Sequence, residues 1–332
     1  MPLHAQAREL LDVLAGLSPE ATGEVDAARE APGLGDAVTE ILRGRGEDTS
    51  PEDVGRVEDR SVPGPAGDVA IRVYRPRDGG SGLPVLIYVH GGGWVVGDLD
   101  GVDDVARRMA NAASCLVVSV DYRRAPEDPF PASHDDVLAA TRWVVDHGDE
   151  LNADASRVVI AGESAGATMA AATCLGLARE GRAVPRGQLL VYPLTDLVGA
   201  DWDSYRDAGD TPSLTRDALA WFAGHEAPDE EQRRDPRLSL LRMSADELAA
   251  MPPTLLFTAE EDPLRDEGEA FARALMDARV HVTVSRFPGM MHGFLGAFAV
   301  LNGAKLAMLQ AVAFVQAGFQ GYEPTAQDSA KA

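Results

Sequence analysis

The chain has 332 residues, 45% hydrophobic, 6% aromatic and 25% charged, with 33 Gly and 21 Pro. These values belong to a folded globular chain and exclude collagen-like, fibrous and disordered classes. Acidic residues outnumber basic ones 53 to 30, a formal charge of −23, which opposes binding to nucleic-acid phosphates or anionic lipid headgroups; nucleic acid is not an expected partner.

In chain order, Leu10, Leu11, Leu14 and Leu17 recur at helical spacing, and Val38, Ile41 and Leu42 do so again. The spacing predicts short amphipathic helices before any strand. Asp68 to Tyr74 alternates at period two and marks the first expected strand. From there, short apolar runs alternate with helical stretches. The runs are Pro84 to Val89, Cys115 to Val120, Arg157 to Ala161, Gln188 to Val191, Thr254 to Thr258 and Val280 to Phe287; the helices are Val102 to Ala113, Ser133 to Val145, Ala165 to Glu180 and Asp266 to Ala278. Strands buried on both faces, each followed by a helix, imply an α/β fold with a mostly parallel central sheet covered on both sides.

About sixty residues between Tyr192 and Pro253 interrupt this alternation. They contain Leu214, Leu219, Trp221 and Phe222 at roughly helical spacing and no strand pattern. An insertion at that point stands above the carboxyl edge of an α/β sheet, where ligands bind, and reads as a partial lid. The expected organisation is N-terminal cap helices (1–50), a first core segment (51–193), a cap insertion (194–235), a second core segment (236–322) and a disordered polar tail (323–332).

Cys115 and Cys174 each lie among apolar neighbours and read as small buried hydrophobes, not as a disulfide or metal pair. No apolar segment approaches the ~18 residues needed to cross a bilayer. The first residues lack a basic region followed by an apolar core. The expectation is a soluble cytoplasmic protein without a membrane span.

The most informative segment is Arg157 to Gly166, RVVIAGESAG. A buried strand runs into Gly162-Glu163-Ser164-Ala165-Gly166 and then into a helix, the setting of a nucleophile elbow with Ser164 at its tip. A second segment, His90-Gly91-Gly92-Gly93-Trp94, ends the strand PVLIYV and leaves consecutive amides uncovered, as charge stabilisation of a tetrahedral intermediate requires. No G-K-[ST] follows it, so a phosphate loop is the poorer reading. In elbow hydrolases the acid and histidine follow the serine in that order. Asp262 stands after TLLFT and His292 after VHVTVSRFPGMM, each just beyond a predicted strand. Glu260, Glu261, Asp266 and Glu267 compete for the acid's role, and most of them are expected to be solvated or paired with Arg265. His4, His134, His147, His225 and His281 read as surface or packing residues, and His90 as support for the glycine loop.

Taken together, HGGGWVVGDLD, DYRRAPEDPFP, GESAG, DPLRDEG and GMMHGF, in that order, resemble the hormone-sensitive-lipase family of α/β hydrolases, in particular its bacterial esterases. The resemblance spans about 68–298. It implies a triad of Ser164, His292 and Asp262, an oxyanion hole from the amides of Gly92, Gly93 and Ala165, and a cap built from the N-terminal helices and the insertion. It further implies hydrolysis of short- to medium-chain carboxylic esters through an acyl-enzyme, with no metal and no organic cofactor. Gly91 and Glu163 would support these motifs. Glu163 stands where the family usually has Asp, Ala167 where it has Gly, Arg124 where it commonly has Leu, and Asp128 where it often has His. Trp94, Leu214, Trp221, Phe222, Met291 and Phe294 are candidates for an apolar substrate pocket. The same machinery serves deacetylases, lactonases and amidases, whereas non-catalytic receptors on this scaffold lack the histidine. The strand near Phe287 and the helix around Leu306 to Phe314 offer an edge for a homodimer.

Overall fold

Eight strands form one sheet: β1 (Arg56–Gly64), β2 (Gly67–Arg75), β3 (Leu83–Val89), β4 (Leu116–Asp121), β5 (Ala153–Glu163), β6 (Gln188–Val191), β7 (Thr254–Glu261) and β8 (Val282–Met291). Their order is β1-β2-β4-β3-β5-β6-β7-β8. The β1–β2 and β2–β4 pairs are antiparallel and the others parallel. The computed structural model describes residues 2–17, 23–199 and 201–321; the tail at 323–332 lies outside them.

The helices are α1 (Ala5–Leu17), α2 (Val25–Glu30), α3 (Leu34–Arg45), α4 (Asp103–Ala113), α5 (Ala132–Asp146), α6 (Ala165–Arg179), α7 (Asp203–Asp207), α8 (Arg216–Glu226), α9 (Ala245–Ala249), α10 (Arg265–Asp277) and α11 (Asn302–Gln320). The apolar runs divide their side chains between two cores. Val85, Ile87 and Val89 of β3 pack with Val137 and Val144 of α5, Met169 of α6 and Phe271 of α10. Leu86 and Tyr88 point the other way, into a cluster with Leu10 of α1, Ile41 of α3, Met109 of α4 and Val315 of α11. Full burial of each large apolar side chain stabilises the fold by roughly 1.5–3 kcal/mol, so a strand loaded on both faces belongs in the middle of the sheet.

One strand escapes the sequence pattern. β1 precedes the first expected strand, and Val62 is its only buried side chain. Arg56, Glu58, Asp59 and Arg60 give it no apolar alternation. It forms because the turn at 64–67 folds it back on β2, where Asp59 faces Arg72 in register and accepts from its guanidinium at 2.6 Å.

The N-terminal helices and the insertion attach to different cores. Ala7, Leu10, Val38 and Ile41 join the cluster containing Phe294 and Leu301, whereas Leu194, Leu197, Leu214, Ala218 and Ala227 join the other. Polar ties complete both attachments. Arg29 of α2 donates to the carbonyls of Val95 and Ala125, each at 2.9 Å, and pairs with Glu127. On α7, the Ser204 hydroxyl donates to the Pro263 carbonyl at 2.6 Å and the Ser204 amide to Asp266 at 2.8 Å. As expected, no strand lies in the insertion among its described residues.

Candidate active site

Three strand ends supply the reactive side chains. Ser164 follows β5 with φ 54° and ψ −127°, a conformation costly for a residue with a Cβ and held only where the surroundings over-determine it. The constraint is visible in Gly166: a Cβ there would fall 2.2 Å from the Val89 carbonyl oxygen and 2.3 Å from that of His90, and one on Gly162 would meet the Gly166 oxygen at 2.3 Å. Strand β3, strand β5 and helix α6 are thus in contact through bare backbone. The Ser164 amide donates to Val191 of β6 at 2.9 Å, which fixes the turn from the other side.

Asp262 directly follows β7 and is fully buried. Its Oδ1 accepts from the Leu264 amide at 2.9 Å and its Oδ2 from His292 Nδ1 at 2.8 Å. His292 follows β8, and its Nε2 lies 2.9 Å from Ser164 Oγ. With Nδ1–H donating to the carboxylate, Nε2 presents its lone pair to the serine hydroxyl, the tautomer that a general base requires. Residues separated by up to 128 positions meet in one hydrogen-bonded chain.

Facing them is the glycine loop after β3. Gly92 and Gly93 take φ values of 110° and 56°, which turn their amides outward. Among the described residues no acceptor takes the amide protons of Gly92, Gly93 or Ala165. His90 Nδ1 donates to the Gly91 carbonyl at 2.7 Å, its ring stacks on Tyr122 at 4.2 Å, and the Tyr122 hydroxyl donates to the His90 carbonyl at 3.1 Å. Burial lowers His90 to about 4, so the imidazole is a neutral brace for the loop at ordinary pH.

The structure also adds residues that the motifs did not name. Tyr192, after β6, lays its ring 4.6 Å from that of His292 and donates its hydroxyl to Glu163 Oε2 at 2.7 Å. Burial pushes Glu163 upward, partly offset by that hydrogen bond. Glu163 thus braces the tyrosine that covers the histidine. Glu267 contradicts the expectation of a solvated acid: it is fully buried, its Oε1 accepts from the amides of Thr195 and Asp196, and its Oε2 accepts from Tyr205. Burial raises it to about 8. Its place one turn beyond Asp262 was the available signal, and its neighbours across the insertion were not.

The apolar pocket candidates divide. Trp94, Met291 and Phe294 have no accessible surface, and Leu214 only 7%. These four are core side chains rather than pocket lining, because the loop and strand ends that carry them are themselves packed into the two clusters. Trp221 and Phe222 of α8 are half-buried, and a Cβ on Gly93 would fall 2.3 Å from the Phe222 ring, which places Phe222 on the glycine loop. Of the residues that depart from the family pattern, Arg124 donates to the Gly97 carbonyl and Asp128 pairs with Arg123. Cys115 and Cys174 are both buried and free.

A mostly parallel sheet with a serine elbow, and an acid and a histidine at later strand ends, defines the class of α/β hydrolases. The comparisons agree. A family profile described as alpha/beta hydrolase fold matches residues 86–296. The chain is 41% identical over 255 residues to the carboxylic ester hydrolase LipN of Mycobacterium tuberculosis, covering 75% of this chain and 66% of that protein. It is 41% identical over 253 residues to carboxylesterase NlhH of the same organism, covering 75% and 78%. A solved structure of the esterase from Pyrobaculum calidifontis superimposes with a TM-score of 0.86 at 36% identity, over 95% of this chain and 98% of that one. The chain belongs to the hormone-sensitive-lipase family of α/β hydrolases.

Proposed function

We propose that the protein is a carboxylesterase whose nucleophile is Ser164. His292 Nε2 takes the hydroxyl proton as Oγ bonds to the ester carbonyl carbon, and the carbonyl π pair moves onto oxygen. Asp262 holds the imidazole tautomer and stabilises the cation that forms. The oxyanion is received by the amides of Gly92, Gly93 and Ala165; each such donor contributes about 2.7–4 kcal/mol of transition-state stabilisation. Collapse breaks the bond to the alcohol oxygen, which leaves with the proton from His292. Water then repeats the sequence on the acyl-enzyme, releasing the acid and restoring Ser164.

The observation that carries this reading is the chain Asp262–His292–Ser164, at 2.8 and 2.9 Å, beside three unpartnered amides. The substrates are short- to medium-chain esters, admitted beneath a cap formed by α1–α3 and the 194–235 segment. Ser164→Ala is expected to lower p-nitrophenyl butyrate hydrolysis at least 10³-fold with unchanged circular dichroism, and a fluorophosphonate should label wild type at Ser164 with one equivalent. Retained turnover in the alanine variant refutes the reading.

A homodimer and a cytoplasmic location belong to the same proposal. The first is supported by the exposed Leu306 and Leu309 on α11 beside the open edge of β8, and sedimentation of wild type against Leu309→Glu tests it. The second is supported by the two buried free thiols. Among the described residues, no helix is long and apolar enough to cross a membrane.

A further inference from the structure

A second group of polar side chains, outside the triad, is enclosed between α5, α8 and the glycine loop. Glu226, the last residue of α8, has no accessible surface, and neither does Ser133 in the first turn of α5; His134 beside it is 3% exposed. The Ser133 hydroxyl lies 3.0 Å from Glu226 Oε1 and 3.1 Å from His134 Nδ1. The Glu226 carbonyl accepts from the Phe130 amide at 2.9 Å. The His134 ring packs edge-on to Phe130 at 5.1 Å and stacks with Trp94 at 6.4 Å. Trp94 is the residue after Gly93.

These contacts close a circuit. Phe222 and Glu226 are four residues apart on α8 and share a face. Phe222 rests on Gly93, Gly93 leads to Trp94, Trp94 stacks on His134, and His134 returns through Ser133 to Glu226. The polar part is self-consistent as a neutral unit. Burial raises Glu226 to about 8 and lowers His134 to about 3; the Ser133 hydroxyl donates to Glu226 Oε1 and its oxygen accepts from His134 Nδ1–H. A hydroxyl has one proton to give, and this ordering uses it once.

We propose that Phe222 sets the size limit for esters at the oxyanion side of the site, and that Glu226, through Ser133, is the positioning residue that holds it there. This inference rests on the ester-hydrolase reading and adds the residue that selects among esters. Phe222 sits on the glycine whose amide would receive the oxyanion, so its ring bounds the space next to the carbonyl carbon. Glu226 touches no reacting atom. It fixes the height and rotation of the last turn of α8, and Phe222 follows one turn earlier. Glutamine keeps a donor and an acceptor at the same place and should substitute for the protonated carboxyl; alanine leaves Ser133 buried without that partner.

The test measures kcat and KM on p-nitrophenyl esters from two to ten acyl carbons and on acetates of ethanol through octanol. Phe222→Ala is expected to raise the ratio of kcat/KM for the largest ester over the smallest at least tenfold in one of the two series. Glu226→Ala should raise it about fivefold in the same series, through KM, with kcat on the acetyl ester within threefold of wild type. Glu226→Gln should restore the wild-type ratio. If Glu226→Ala does not fold, Ser133→Ala takes its place with the same expected shift. The inference is overturned if Phe222→Ala leaves both ratios within twofold, if the Glu226 or Ser133 alanine variant lowers turnover of all esters equally, or if Glu226→Gln behaves as Glu226→Ala. A wild-type protein that hydrolyses no ester in either series refutes the ester reading itself, a result separate from unchanged ratios in an active enzyme.

Discussion

The floor and the cover of the site are built by different means. On the floor, Ser164, Asp262 and His292 stand at the ends of β5, β7 and β8, so the register of one hydrogen-bonded sheet sets their spacing. The cover consists of short helices tied by single side chains: Arg29 to the loop carbonyls, Tyr205 to Glu267, Glu226 to Ser133. A sheet distributes its constraint over many ladder bonds as well as buried side chains, whereas the helices over it have no such ladder and are held by the apolar side chains they bury together with a few polar contacts to residues distant in the chain. Positional accuracy therefore resides in the floor, where the proposed chemistry needs it.

Breaking the floor should give the largest effects. Asp262→Asn reverses the hydrogen bond that sets the His292 tautomer and is expected to lower kcat about 10⁴-fold with little change in KM, read from steady-state kinetics. Gly166→Ala drives a methyl group to 2.2 Å from the Val89 oxygen. About 3 kcal/mol or more of stability should be lost, together with activity, in a urea titration.

Effects on the cover should be smaller and pH-dependent. Glu226 and Glu267 are raised to about 8 from the usual 4.5. The folded state keeps their protons where the unfolded chain has released them, so their contribution is full below 4.5 and disappears as pH rises through about 8. Each pH unit inside that window should cost up to a tenfold factor in the folding equilibrium for each group. His134 and His90, lowered to about 3 and 4 from 6.5, act in the opposite sense: stability falls as pH drops from 6.5 toward those values. Melting temperatures from pH 4 to 9 should therefore decline toward both ends, and Glu267→Gln should flatten the alkaline decline. An unaltered alkaline limb in that variant would remove Glu267 from the account.

Tyr205→Phe, which takes away a hydroxyl facing Glu267, should cost about 1–3 kcal/mol in the same melts. Thr215→Ala sharpens the comparison at its lower end. The Thr215 side chain caps α8 by accepting from the Ala218 amide at 3.1 Å, and its loss should cost about 1 kcal/mol while leaving ester selectivity intact.

How much of this was legible in the sequence follows the same division. The six apolar runs and the alternating segment Asp68 to Tyr74 announce their strands because each must bury side chains on one or both faces, and the glycine-bracketed serine announces the elbow because only that spacing lets strand and helix touch. β1 carries no such pattern, since an edge strand dominated by charge is defined by its partner. Glu267 looked like any surface acid in DPLRDEG until the 195–196 turn and Tyr205 closed around it. Ser133, His134 and Glu226 are 93 positions apart at their ends, and nothing local marks them as one group. Trp94, Met291 and Phe294 looked like pocket walls because apolar residues beside a reactive motif invite that reading, yet their neighbours in space are other core side chains.

The amino-acid order alone determined the sheet's central strands, the elbow, the glycine loop and the sequence of serine, acid and histidine, since each rests on local steric rules or on the period of the apolar pattern. Tertiary structure alone decided which carboxylates lose their water, which apolar side chains stay uncovered, and how α8 is held over Gly93. Those outcomes depend on desolvation and contact between segments distant along the chain, quantities that have no value until the chain has folded.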